Sequence, residues 1–334
     1  MSERLAAREL KPKTTLYKIG DFIMEYLVFI AILALVIATA IIQPQFRTEQ
    51  NFINLMRQFG PLSFVALGMT FVILGGFIDL SVPGIISLVA MVTLSLIDVI
   101  GEAQAMVVGL ILGATLGAVN GTLLVNVGAT IQAKALFITF GMSQIYLAIA
   151  HILREGQPID RNFIASDMPI TREIGQGMVG PLSISFLAFL VCLVILYLFQ
   201  KKTFLGRAIS YTGGNLLAAK LGGLPTRKIM ILIYIICGLM AAVSAIVLFS
   251  RVPVTTPGVG RNFERDAIMS VVVGGTSLLG GRGSVIRTLM GVSLVILMSN
   301  CMNLLQVGTH LQEVLRGAIL VTAIWLDHRR HSKG

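Results

Sequence analysis

Ten apolar runs, most near the length of a bilayer-crossing helix, alternate with short polar segments along this chain. Their approximate limits are 22–42, 59–78, 83–100, 104–125, 135–153, 182–200, 229–249, 266–280, 286–306 and 312–326. The pattern predicts an all-α, polytopic membrane protein with about ten transmembrane helices. The eighth and tenth runs are short, which suits tilted or partly interfacial segments. Residues 50–59 mix apolar and polar side chains and read as a helix lying in the interface. The first run follows five basic residues and superficially resembles a signal peptide. It is longer than a usual signal core, so an uncleaved first span is expected.

Charge then orients the pattern. An even number of spans behind a basic N-terminus places both termini in the cytoplasm. Of the 26 Lys and Arg, 17 fall in segments assigned to that side and 8 to the other, with Arg316 inside the last run. Such a bias sets orientation. The resulting organisation is a cytoplasmic tail over 1–21, a transmembrane domain over 22–326 and a cytoplasmic tail over 327–334. Within the domain, 154–181 is an external loop, read as a lid or a docking surface. The cytoplasmic loop 201–228 holds six Lys/Arg and no acid. A soluble partner would dock there.

Composition agrees. The chain of 334 residues is 55% hydrophobic and 13% charged, about half the charge of a soluble domain. The net charge of +10 reflects cytoplasmic loops and anionic headgroups rather than a nucleic-acid partner. Cys192, Cys237 and Cys301 all lie in apolar runs without a pairing pattern. The four histidines have no metal-binding spacing.

No Walker A sequence, GxSxG or other catalytic set is present. The expected function is therefore passage of a solute, or signalling. Two glycine-rich breaks interrupt the runs. The first carries Gly75, Gly76, Asp79, Ser81, Pro83 and Gly84; the second carries Gly274, Gly275, Thr276, Ser277 and three further glycines. Broken helices expose backbone groups that must face protein or a water-filled cavity. A polar path or cytoplasmic gate is one reading of the first break; a tight turn with Asp79 as a helix N-cap is the other. The shared spacing, Gly75 to Gly84 and Gly274 to Gly283, fits an internal repeat. Thr70, Asn120, Thr139, Ser143, Ser244, Asn300 and Asn303 add uncharged polarity within the runs. They suit a polyhydroxylated solute, or simply bond helix to helix. No chain of Asp, Glu or His crosses the centre, which disfavours a proton-coupled carrier.

Five segments then point to a family: 68–82 (GMTFVILGGFIDLSV), 117–125 (GAVNGTLLV), 204–225 (FLGRAISYTGGNLLAAKLGGLP), 266–284 (DAIMSVVVGGTSLLGGRGS) and 300–308 (NCMNLLQVG). In order and spacing the chain resembles the permease subunits of bacterial sugar ABC importers of the ribose, xylose and arabinose type. The resemblance covers about 51–327. It implies a pore-forming subunit of about ten helices in the bacterial inner (plasma) membrane, paired with a second copy or a related permease. It implies a cytoplasmic ABC ATPase, an external periplasmic or lipid-anchored sugar-binding protein, and contact with membrane lipid. It implies no cofactor in this chain, since ATP is used by the partner subunit, and no enzyme activity of its own.

On the same basis Gly206, Arg207, Gly213, Gly214, Asn215, Ala218 and Ala219 match the loop that couples to the ATPase. The small side chains of Ala218 and Ala219 would let a short helix sit closely in an ATPase groove. Arg207 would touch that partner, a lipid phosphate, or nothing beyond its membrane face. Candidates for the translocation path or gate are Thr70, Gly75, Gly76, Asp79, Ser81, Asn120, Thr276, Ser277, Asn300 and Asn303. Three departures from the family pattern are Pro83 in place of a glycine, the absence of a proline before 136–141, and Arg265 in place of a leucine. A monosaccharide is the expected solute; a branched-chain amino acid, a nucleoside or a sugar-derived signal is the alternative.

Overall fold

The computed structural model describes residues 27–128 and 131–332. The expected tail over 1–21 and the start of the first run lie outside the described residues. Each of the ten apolar runs contributes one helix. These are α1 (Leu27–Ile42), α2 (Glu49–Leu74), α3 (Val82–Ile100), α4 (Glu102–Asn126), α5 (Gln132–Leu153), α7 (Ile184–Lys202), α10 (Thr226–Arg251), α11 (Phe263–Val273), α12 (Val285–Leu304) and α13 (Thr309–Ser332). Three shorter helices lie between them: α6 (Pro169–Gln176), α8 (Phe204–Gly214) and α9 (Leu216–Leu221). Seven of the described helices, α2 to α5, α7, α10 and α12, are long and apolar enough to cross a membrane.

Two expectations change. Residues 50–59 are not a separate interfacial helix. They are the first turns of α2, which Thr48 opens by accepting from the Asn51 amide at 3.3 Å and which continues through Pro61. Asn51 and Met56 are buried there, so packing holds these turns in the helix. The eighth run also stops early. α11 has 11 residues, a rise of about 16 Å, roughly half the hydrocarbon thickness.

α2 and α10 form the centre. Every residue from Phe64 to Leu74 in α2 is buried. α4 packs on α10 through glycines spaced by four: Gly113, Gly117 and Gly121. A Cβ on Gly113 would lie 2.5 Å from the Ala242 Cβ, and one on Gly121 would lie 2.7 Å from the Ile231 Cα. Gly238 of α10 closes the same contact from the other side. Such small-residue faces let backbones approach where no water drives helices together. Around this centre α4, α5 and α7 turn Ile111, Phe137 and Ile195 outward, as helices facing lipid do.

The two ends of the bundle differ. One carries α8, α9 and both glycine-rich breaks. The other carries the loop 154–181, where β1 (Ile159–Asp160) pairs antiparallel with β4 (Val254–Thr255) and β2 (Met178–Val179) with β3 (Leu182–Ser183). This loop is tied down. Glu102 accepts from the Ile170 amide at 3.0 Å and from that of Thr171, the first turn of α6. Asp98 accepts from the Ser166 amide at 2.8 Å, and Arg161 donates to the Ser250 carbonyl at 2.8 Å. The bonds tie the loop to the ends of α3, α4 and α10.

Candidate coupling surface and the polar joint beneath it

α8 and α9 are separated by one residue. Thr203 begins α8 by accepting from the Gly206 amide at 3.0 Å. Asn215 is extended, which ends α8, and its Oδ1 accepts from the Ala218 amide at 2.9 Å, which begins α9. Both caps use the side-chain types that favour helix starts. The seven expected coupling residues divide into two sets. Arg207, Gly214, Asn215 and Ala218 are exposed, while Gly206 and Ala219 are buried and Gly213 is half-buried. Arg207 donates to the Lys201 carbonyl at 3.3 Å. Ala219 therefore packs inward, leaving Ala218 of the expected alanine pair on the surface.

Sequence reasoning missed the larger part of this surface. Tyr211, Leu217 and Leu221 are 66%, 67% and 80% exposed. They stand among Arg207, Lys220, Arg227 and Lys228, all exposed. The signal lies in the sequence as large apolar side chains inside a basic loop.

Beneath α8 three glycine pairs meet. Both glycine-rich breaks begin with the same helix cap. Gly76 donates to the Ile73 carbonyl at 2.9 Å and Phe77 to that of Val72 at 3.0 Å. Gly275 donates to Val272 at 2.8 Å and Thr276 to Val271 at 3.1 Å. Gly76 and Gly275 take φ of +84° and +88°, the left-handed geometry that this closing motif requires. The third glycines of the apparent repeat are not equivalent: Gly84 packs on Ser143 and Tyr146 of α5, whereas Gly283 packs on Thr276. The Gly281 amide crosses from the second break to the Leu74 carbonyl at 2.9 Å. Gly213 of α8 lies against the same carbonyl, and a Cβ on Gly280 would sit 2.7 Å from both the Gly213 oxygen and the Gly76 Cα.

The chain then re-enters the bundle over 77–81, and its polar groups meet partners from other helices. Tyr146 donates to Asn120 Oδ1 at 2.8 Å, Asn120 Nδ2 to Ser81 Oγ at 2.7 Å, and Ser81 Oγ to Asp79 Oδ1 at 2.6 Å. Thr139 accepts from the Leu80 amide at 3.0 Å. Tyr234 donates to the Ile78 carbonyl at 3.3 Å. Asp79 does not cap α3 directly. It binds the amide and hydroxyl of Ser81, and Ser81 is the residue before α3. Asp79, Ser81 and Asn120 are completely buried, so the network joins α3, α4, α5 and α10 inside one subunit.

The remaining candidates separate. Thr70 bonds Thr288 at 2.6 Å between α2 and α12. Thr276 and Ser277 are buried in the second break. Asn300 is at the far end, in a reciprocal amide pair with Asn51 at 2.8 and 3.2 Å. Asn303 is exposed and accepts from Gln312 at 3.0 Å. Gln200 is a further residue that the sequence did not single out. It is buried at the end of α7, donates to the Gly283 carbonyl at 3.3 Å and accepts from the Val285 amide at 3.0 Å, thereby capping α12.

Residues 51–324 match the family model described as the permease component of branched-chain amino acid transport systems. The chain belongs to this permease family. It is 30% identical to the ribose import permease protein of Haemophilus influenzae over 96% of this chain and 98% of that one. It is 34% identical to the ribose import permease protein of Bacillus subtilis, over 90% of this chain and 92% of that one. To the L-arabinose transport system permease protein of Escherichia coli it is 31% identical, over 95% and 94%. No solved structure gives a significant match. The permease is thus an integral membrane protein of the kind that forms the membrane subunit of an importer.

Proposed function

We propose that this chain is the membrane-embedded subunit of an ATP-driven importer for a monosaccharide. The observation that carries this reading is the near full-length match to ribose and arabinose permeases, on both chains of each pair. The family description names branched-chain amino acids, whereas the relatives matched over nearly their full length are ribose and arabinose permeases. In this reading α1 and α13 also cross the bilayer, α11 reaches part way, and the end bearing α8 and α9 faces the cytoplasm by its charge. A cytoplasmic ABC ATPase receives Tyr211, Leu217 and Leu221. A sugar-binding protein delivers solute to the opposite end, and a second permease copy or related permease completes the path.

The buried network explains how motion would pass inward. Displacement of α8 acts on the Leu74 carbonyl through Gly213, and on the second break through Gly280 and Gly281. The joint at 77–81 then carries it to α3, α4 and α5. Asp79, Ser81 and Asn120 are parts of that joint in this reading. The test is reconstitution of the chain with its ATPase and binding protein in lipid. ATP hydrolysis stimulated by binding protein loaded with a pentose, with uptake of that sugar, supports the proposal. Stimulation by leucine alone, or uptake without an ATPase, overturns it.

A further inference from the structure

A groove of about 900 Å³ runs along the outside of the bundle between α1, α11, α12 and α13. Val28, Phe29, Leu289, Met290 and Leu326 give it apolar walls. Among the described residues, one charged side chain, Arg287, also lines it. Arg287 is exposed and makes no ion pair among the described residues. It occupies the third position of α12, which Gln200 ties to the end bearing the coupling helices. A Cβ on Gly275 would lie 3.9 Å from its Nη1, so the guanidinium rests over the bare backbone where α11 has just ended. The groove is therefore apolar at membrane depth and cationic at one rim.

We propose that this groove binds an anionic phospholipid of the cytoplasmic leaflet, with acyl chain along α12 and phosphate on Arg287. The orientation is that of the proposed function; the lipid site itself does not depend on which solute is carried. An apolar trough with a cation at the headgroup plane has the polarity pattern of one such lipid. Basic pockets between membrane helices on the cytoplasmic side select anionic headgroups for this reason.

The test is native mass spectrometry of the full chain, with any subunits that co-purify, in mild detergent. Equimolar phosphatidylglycerol and phosphatidylethanolamine are added back. The wild type is expected to retain phosphatidylglycerol in preference. Arg287→Gln should lower that preference about five-fold, the weight of one cation near a membrane surface. Met290→Trp, which fills the trough from an exposed position, should reduce retention of both lipids. Arg282→Gln, an exposed cation outside the groove lining, should leave the preference unchanged. Equal retention of the two lipids by the wild type overturns the proposal. So does an Arg282→Gln effect equal to that of Arg287→Gln, or disulfide cross-linking of Met290→Cys between copies. Should Arg287→Gln fail to fold, the wild-type preference and the Met290→Trp loss decide the matter.

Discussion

The amide of Gly281 donates to the carbonyl of Leu74 at 2.9 Å, joining two glycine-rich breaks that lie far apart in sequence. The carbonyl sits at the end of α2, where no further helical turn can use it. Gly213 of α8 packs on the same oxygen. The bond therefore ties the surface helix to both breaks at one point, and only residues without side chains fit around it.

Gly213→Val should disrupt this junction. Overpacking of this kind typically costs about 1–3 kcal/mol, and here the obstacle is backbone rather than a flexible side chain. The expected result is a lower Tm together with ATP hydrolysis that no longer responds to the binding protein. Gly141→Ala is the control, since nothing lies within 4 Å of its added methyl. Its Tm should be unchanged or slightly higher, because alanine favours helix. Differential scanning fluorimetry in detergent reads both.

The chain of bonds from Tyr146 through Asn120 and Ser81 to Asp79 predicts a graded response. Tyr146→Phe removes one donor from Asn120 Oδ1, for a loss of about 1 kcal/mol. Asn120→Leu strips partners from both Ser81 and Tyr146 in a buried site, which should cost about 1–3 kcal/mol. Equal Tm for the two variants would count against a connected network.

Gln200→Leu should weaken the join between α7 and α12. The change preserves approximate volume but leaves the Gly283 carbonyl and the Val285 amide without the side chain that bonds them. About 1–3 kcal/mol is expected for a buried group so orphaned. Hydrogen exchange should rise first in the opening turn of α12.

Leu217→Asp combined with Leu221→Asp tests the exposed surface. Neither side chain is buried in the subunit, so Tm should stay within about 0.5 kcal/mol of wild type in equivalent stability. Affinity for the ATPase should fall about 30-fold if these side chains are its central anchors. Titration of labelled ATPase against the permease in nanodiscs distinguishes this from misfolding.

Glu102→Ala should loosen the opposite end. The carboxylate accepts from two amides at the start of α6, and loss of such a cap costs about 1 kcal/mol. Protease sensitivity should increase over 165–176, while ATPase affinity at the far end is unchanged.

The sequence determined that this is a polytopic helical membrane protein, because runs of about 20 apolar residues can satisfy their backbone in lipid only as helix. Each run yielded a helix, and both glycine pairs were legible as helix endings. Their chemistry is local: a left-handed closing residue needs only glycine and its own preceding turn. The basic character of 201–228 is local in the same way, and it predicts a membrane face without knowledge of packing.

Tertiary structure decided what the same residues do. It carried α2 through a segment that reads as interfacial. It turned Ala219 inward and Leu217 and Leu221 outward. The pairings of Gln200 with Val285 and of Asn51 with Asn300 span 85 and 249 residues. No periodicity along the chain encodes such partners. The glycines of α4 recur every fourth residue from Gly109 to Gly121, but only the approach of α10 gives that face its purpose. Asp79 and Asn120 are polar in any reading; burial at a shared joint, rather than exposure on a surface, follows from how four helices close around the break.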